Sequence, residues 1–171
     1  EMSSRGLGDV YKRQGLGRMA EPDEIVNTVE NHILAGLPLY GKRILITAGP
    51  TYEAIDPVRF IGNYASGKMG FELANSAANK GADVILVSGT THCKIDSNRV
   101  TTHAVFTAKE MYKVVHQHFS SVDAAILSAA VADYRPKKTV PSKIKKTSES
   151  LLLELEKTED ILASLGAVKA H

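Results

Sequence analysis

The chain has 171 residues, 43% of them hydrophobic and 23% charged, with a formal net charge of +2. That balance describes one globular domain with a sizeable core, not a disordered or fibrous chain, and it carries no global field that would draw nucleic acid. The single cysteine, Cys93, rules out an intrachain disulfide framework and suits a reducing cytosol, and no apolar stretch approaches membrane-spanning length. The six histidines show no metal-ligand spacing with acids or with Cys93.

Residues 1–14 have no periodicity and read as a tail of uncertain origin. Glu21-Pro22-Asp23-Glu24 then opens a helix, with proline in its first turn and acids at its positive dipole end. Ile25, Val26, Val29, Ile33 and Leu34 form its apolar stripe, and Gly36 stops it. Residues 37–42, with Pro38 and Gly41, read as a linker at a domain boundary. Ile44 to Ala48 is an apolar run expected to form a buried parallel strand. A helix is expected from Gly67 to Lys80, with Met69, Leu73, Ala74, Ala77 and Ala78 inward. Val84 to Val87 reads as a second buried strand and Val100 to Val105 as a weaker third. Thr107-Ala108-Lys109-Glu110 is a capping box that starts another helix, with Met111, Val114, Val115 and Phe119 inward. Ala124 to Val131 is the fourth strand expected, followed by a basic loop, a strand over Leu151 to Leu155 and a last helix capped by Thr158. The β-α-β-β-α-β alternation predicts an α/β fold: a Rossmann-like, mostly parallel sheet flanked by helices.

The first strand is separated from its helix by about 17 residues, where roughly 2–6 are usual. A long loop at the carboxyl end of that strand is where such folds take ligands. Its Gly49, Gly62, Gly67 and Gly70 let backbone amides approach a phosphate, and Lys68 stands at the mouth of the helix. Residues 62–69 have Walker A spacing, but Met69 replaces the hydroxyl residue that would hold magnesium. Tyr64 and Lys68 make a YxxxK pair in the wrong place for a short-chain dehydrogenase. The GxGxxA at residues 15–20 has no strand before it. Residues 135–146 hold six basic side chains and no acid, directly after a core strand. Such a run is usually a solvated loop, yet here it puts Lys143 on the edge that carries the glycines. Asp133 could meet a ribose hydroxyl, an amine or magnesium, or cap a turn. Asn63 could cap the next turn or hydrogen-bond an oxyanion.

At these residues the chain resembles the phosphopantothenate–cysteine ligase half of bacterial bifunctional coenzyme A biosynthesis proteins. The matching stretches are ITAGPT (46–51), IDPVRFIGNYASGKMGFELA (55–74), DVILVSG (83–89), TAKEMY (107–112), AAVADYRP (129–136), KIKK (143–146) and LELEKTEDILASLG (153–166). Residues 15–25 resemble the end of the flavin-dependent decarboxylase half of the same polypeptides. The resemblance implies three segments: a decarboxylase terminal helix (15–36), the linker (37–42), and an incomplete ligase domain (43–171), truncated at its C-terminus. It implies ligation of 4′-phosphopantothenate to cysteine at the expense of CTP, through an acyl-cytidylate. Lys143 would stabilise the first step and Asn63 would serve conversion of the intermediate. Gly49, Gly67 and Gly70 would surround the phosphates, and Ser128, Ala129, Ala130, Asp133, Asp160 and Ile161 would form the nucleotide pocket. Mg²⁺ would bridge the phosphates, and FMN would belong to the decarboxylase half, absent from this chain. The resemblance also implies a cytoplasmic homodimer. The competing expectation is a nucleotide-binding or dimerisation module without turnover. An NAD-dependent oxidoreductase fits less well, since no GxGxxG follows the first strand and Ser88 stands where the second should end in an acid.

Overall fold

The computed structural model describes residues 19–146 and 149–169. The tail expected at residues 1–14 lies outside them. The chain divides into two compact units between Gly36 and Leu37. In the first, helix α1 (Pro22–Ala35) begins after Glu21 and ends at Gly36. It buries none of its residues, and Ile25, Val26, Val29 and Ile33 of the expected stripe are exposed.

The second unit is built on four strands: β1 (Arg43–Ala48), β4 (Asp83–Ser88), β5 (Val100–Ala104) and β6 (Ala124–Leu127). They form one sheet in the order β5-β4-β1-β6, every pair parallel. This is the α/β, Rossmann-like arrangement that the alternating pattern predicts. β1 is central and pairs on both sides, Ile46 opposite Leu86 on one and opposite Ile126 on the other. Alternate residues of β1 and β4 feed two cores, as a strand's period of two requires. Ile44, Ile46, Ala48, Val84 and Leu86 meet helix α2 (Lys68–Asn79) through Phe71, Ala74, Ala77 and Ala78. Leu45, Ile85 and Val87 meet Met111 and Val115 of α3 (Ala108–Phe119) and Ile161 and Leu165 of α4 (Ile161–Val168). The His116 ring and the Ser164 hydroxyl join α3 to α4 at 2.8 Å.

Several local features differ from the sequence expectations, among them Met69 of α2, expected inward and found exposed. The long loop after β1 folds into an antiparallel hairpin of β2 (Tyr52–Ala54) and β3 (Phe60–Gly62). The fourth strand stops at Leu127 instead of Val131. There the Ser128 hydroxyl turns back to donate to the Thr47 carbonyl at 2.6 Å, and Ala130 makes an isolated parallel bridge to Pro50. The strand expected at 151–155 forms instead as β8 (Leu155–Lys157), fixed by antiparallel pairing with β7 (Tyr134–Pro136). The last helix is capped by Asp160, whose carboxylate accepts the Ala163 amide at 2.9 Å, while the Thr158 hydroxyl donates to the Ala132 carbonyl at 2.7 Å. Residues 37–42, read as a linker, begin the second unit. The Leu39 amide donates to the Lys80 carbonyl at 2.9 Å, seating this segment on the end of α2. No helix among the described residues is long and apolar enough to cross a membrane.

Candidate functional site

The carboxyl ends of β1 and β6 mark the point where the sheet reverses its strand order, which in open α/β sheets is the usual ligand crevice. There α2 lies on the end of β1 with no room for side chains between them. A methyl at Gly70 would sit 2.5 Å from the Ala48 Cβ and 2.7 Å from the Ser128 Oγ. Gly67, at a φ of +79°, is the helix N-cap and brings no side-chain hydrogen bond to the first turn. A Cβ there would lie 3.1 Å from the Cα of Gly49. The first-turn amides of α2 thus stand at the sheet edge beside Gly49, an arrangement suited to an anion. Gly89, which the sequence reading did not single out, is the tightest of the group: a Cβ would come 2.0 Å from the Pro50 carbonyl oxygen.

A cavity of about 480 Å³ opens on the same edge, between the loop after β6 and the start of α4. Ala129, Asp133, Asp160 and Ile161 of the expected nucleotide set line it, together with Thr47, Tyr134, Lys157 and Glu159. Two threonines that the sequence reading missed hold the loop that borders it, and Thr47 also lines it. The Thr47 hydroxyl accepts the Ala129 amide at 3.2 Å, and the fully buried Thr51 accepts the Ala132 amide at 2.9 Å. Their only signal was position, immediately flanking the first strand's glycine turn. Asp160 is partly spent on capping α4, whereas the exposed Asp133 carboxylate makes no hydrogen bond among the described residues. Glu159 is held by Arg135 at 3.6 Å, and Arg135 also donates to Glu156 at 2.9 Å. The hydrogen bond to Glu156 raises the guanidinium's pKa further above its ordinary range. Among the described residues, no three His, Cys, Asp or Glu side chains converge to hold a metal ion.

Ser128, Ala130, Gly49, Gly67 and Gly70 form the glycine-packed edge and do not line this cavity. Asn63 follows the hairpin, and its amide nitrogen donates to the Val131 carbonyl at 3.0 Å and the Ala130 carbonyl at 3.3 Å. It therefore ties the hairpin to the loop that forms the cavity. Lys143 lies elsewhere, at a second cavity of about 490 Å³ bordered by Val58, Arg59, Ile144, Lys145 and Lys146. Asn63, expected to act together with Lys143, does not border that cavity.

Two buried carboxylates on the hairpin also escaped the sequence reading. Glu53 on β2 accepts the Ala108 amide at the start of α3, at 2.7 Å, and burial pushes its pKa up. Asp56 is held well below the ordinary carboxylate range, first by the Arg59 guanidinium. The Asp56-Pro57 pair was a turn signal in the sequence, but nothing there showed how far that turn reaches.

Residues 39–171 match the family model described as the DNA/pantothenate metabolism flavoprotein C-terminal domain. The chain is 48% identical over 168 residues to the coenzyme A biosynthesis bifunctional protein CoaBC of Vibrio cholerae, covering 96% of this chain and 40% of that protein. It is 46% identical over 159 residues to a cysteine/cysteine sulfinic acid decarboxylase of an unknown prokaryotic organism, covering 91% of this chain and 44% of that protein. A crystal structure of the C-terminal domain of a CoaBC protein superposes with a TM-score of 0.67 at 52% identity, covering 77% of this chain and 61% of that one. The chain thus spans about two-fifths of the length of these curated relatives. These findings overturn the expected CTP-dependent ligase. The matched family is described as part of a flavoprotein, one of these relatives is named a decarboxylase, and none of the three carries the name of a ligase. The flavin expectation shifts as well: the flavoprotein description attaches to residues 39–171 themselves, not to an absent half.

Proposed function

Because the chain belongs to the family of DNA/pantothenate metabolism flavoprotein C-terminal domains, we propose that it serves coenzyme A biosynthesis by holding a phosphorylated pantothenate compound at the carboxyl edge of its sheet. The observation that carries this reading is the α2 N-terminus, packed through Gly67 and Gly70 onto the end of β1: the Ser66 hydroxyl accepts the Lys68 amide at 3.3 Å, and the Met69 and Gly70 amides make no hydrogen bond among the described residues. Uncapped helix amides favour a phosphate, and the strand reversal supplies the crevice beside them.

In this reading the phosphate meets the backbone near Gly49, Gly67 and Gly70. The amide- and hydroxyl-bearing part of the ligand extends along Ser128, Ala129 and Ala130 into the cavity, where Ile161 gives an apolar wall. Asp133 and Asp160 are acceptors for its N–H or O–H groups. Asn63 holds the edge in shape and offers its amide oxygen, and Lys143 adds positive charge from the neighbouring segment. Magnesium would enter as a phosphate counter-ion. A flavin phosphate does not fit inside the cavity, where Asp133, Glu159 and Asp160 outnumber Lys157 and the Arg135 that holds Glu159; like the phosphate of the proposed ligand it would have to sit at the glycine edge. No step is assigned to flavin. Pairing of two copies and a cytoplasmic setting, both implied by the resemblance, belong to the same proposal.

Calorimetric titration of the chain with 4′-phosphopantothenoylcysteine and with its dephosphorylated form tests the reading. Binding at least tenfold tighter for the phosphorylated compound is expected. Equal affinities would remove the phosphate from the helix terminus, and no binding of either would remove pantothenate compounds altogether. FMN and CTP titrated in parallel report whether another phosphorylated molecule competes for the same edge. Sedimentation velocity measures the pairing.

A further inference from the structure

The basic segment after β7 has few attachments. Among the described residues, two contacts hold residues 140–146: the Val140 amide donates to the Ile55 carbonyl at 3.1 Å, and Ile144 is bound by a single ion pair. That pair is Asp56 with Arg59. The Asp56 Oδ1 accepts the Val58 and Arg59 amides of its own turn, both at 2.8 Å. Its Oδ2 accepts the Arg59 guanidinium, at Nε (3.0 Å) and at Nη2, and then reaches across the sequence to the Ile144 amide at 3.1 Å. The Arg59 Nη2 donates in turn to the Ile144 carbonyl at 3.0 Å. Both backbone groups of one residue are therefore taken by the two halves of one ion pair.

We infer that Asp56 and Arg59 form a latch that fastens the basic strap of residues 140–146 to the hairpin turn, and so fix where Lys143, Lys145 and Lys146 present their charge. Three physical points support it. Asp56 is 2% exposed, and a buried carboxylate is tolerated only when its lone pairs are filled, so the pair needs the Ile144 amide as the strap needs the pair. The strap has no acid of its own, yet Arg59, Lys143, Lys145 and Lys146 border one cavity. Asp56, paired with Arg59, is the carboxylate that meets this cluster. Finally, carboxylate-to-amide and guanidinium-to-carbonyl bonds are charge-assisted, stronger than neutral contacts would be on an exposed loop. The latch requires no ligand and stands whichever phosphate compound the site takes.

Amide hydrogen exchange on the unliganded chain tests it. In Asp56→Asn the Ile144 amide is expected to exchange at least tenfold faster than in the parent, with Val140 following, while Leu45 and Leu86 of the sheet keep their protection. Arg59→Gln leaves the carboxylate in place and removes the second half of the clasp, so Ile144 should speed up severalfold. An Ile144 amide that exchanges at the unprotected rate in the parent chain would overturn the latch. So would unchanged Ile144 protection in Asp56→Asn. Should that variant lose protection in β1 as well, Arg59→Gln decides: an intact sheet with Ile144 as protected as before refutes the proposal.

Discussion

Glu53 and Asp56 stand three residues apart on one hairpin, both almost fully buried, and they are perturbed in opposite directions. The difference is the number of donors. Among the described residues Glu53 receives one hydrogen bond, from the Ala108 amide, and burial wins, so its pKa rises. Asp56 receives the Arg59 guanidinium and three amides, and its pKa falls. The consequences for stability have opposite sign. The folded state holds the Asp56 carboxylate ionised more readily than the unfolded chain does. Its contribution is complete above the unfolded carboxylate pKa near 4 and is lost as pH falls below that. Asp56→Asn should therefore lower the urea midpoint at pH 7 and flatten its decline between about pH 4 and pH 2. Glu53 favours its protonated form in the fold, so its stabilising contribution is present below the unfolded pKa and fades as pH rises through the folded value. Glu53→Gln, which keeps an acceptor for Ala108, should be neutral or stabilising at pH 8, read by the same urea titrations. Gly70 is a third residue with a defined cost. Gly70→Ala places a methyl against Ala48 and Ser128, and overpacking of this kind costs about 1–3 kcal/mol. A thermal midpoint equal to that of the parent would show that α2 can shift away from β1 without loss.

The helices and strands divide by what holds them. β1, β4, α2 and α3 were readable in the sequence because each carries its own signal: a continuous apolar run, a 3.6-residue stripe or a capping box. The Thr107 box is present as read, with Thr107 accepting the Glu110 amide at 3.2 Å. The two short hairpins carry no such signal. β2, β3, β7 and β8 have three residues each, too few for a periodicity, and form because each pair finds its partner across a turn or a loop. The end of β6 was misread for a related reason: Ser128 to Val131 continue the apolar run in sequence, but Thr47 and Pro50 divert them in space. The site followed the same division. Ala129, Asp133, Asp160 and Ile161 come together because they end or begin regular elements, whereas Lys143 goes where Asp56 takes it. The start of α4 gives a direct test of cap against tie. Asp160→Ala should cost about 1 kcal/mol and speed exchange of the Ala163 amide. Thr158→Ala should leave that amide alone and loosen the loop at Ala132 instead. Equal effects on Ala163 would mean that the helix start is shared between the two.

The second unit depends on β1 as a whole. Leu45, Ile46 and Ala48 are fully buried, and they face both cores at once. Leu45→Ala removes a side chain from the core shared by α3 and α4 and should destabilise the unit by about 2–5 kcal/mol in urea unfolding. A loss below 1 kcal/mol would mean that this face collapses around the gap. Such a change acts on the glycine-packed edge indirectly, since Gly49, Pro50 and Thr51 follow directly from this strand.

The parallel register of β1 also dictates how the chain matures as it is made. Ile44 pairs with Val84 on one side, 84 − 44 = 40 residues later, and with Ala124 on the other, 124 − 44 = 80 residues later. A nascent chain leaving the ribosome therefore carries its central, buried strand with one hydrogen-bonding edge open until the segment around Ala124 has emerged. At about 5–20 residues per second that interval lasts several seconds, long enough for an unpaired strand to seek other partners. The glycines, the hairpin and the latch all hang from the first strand of the sheet to be made, whose pairing is completed by the last.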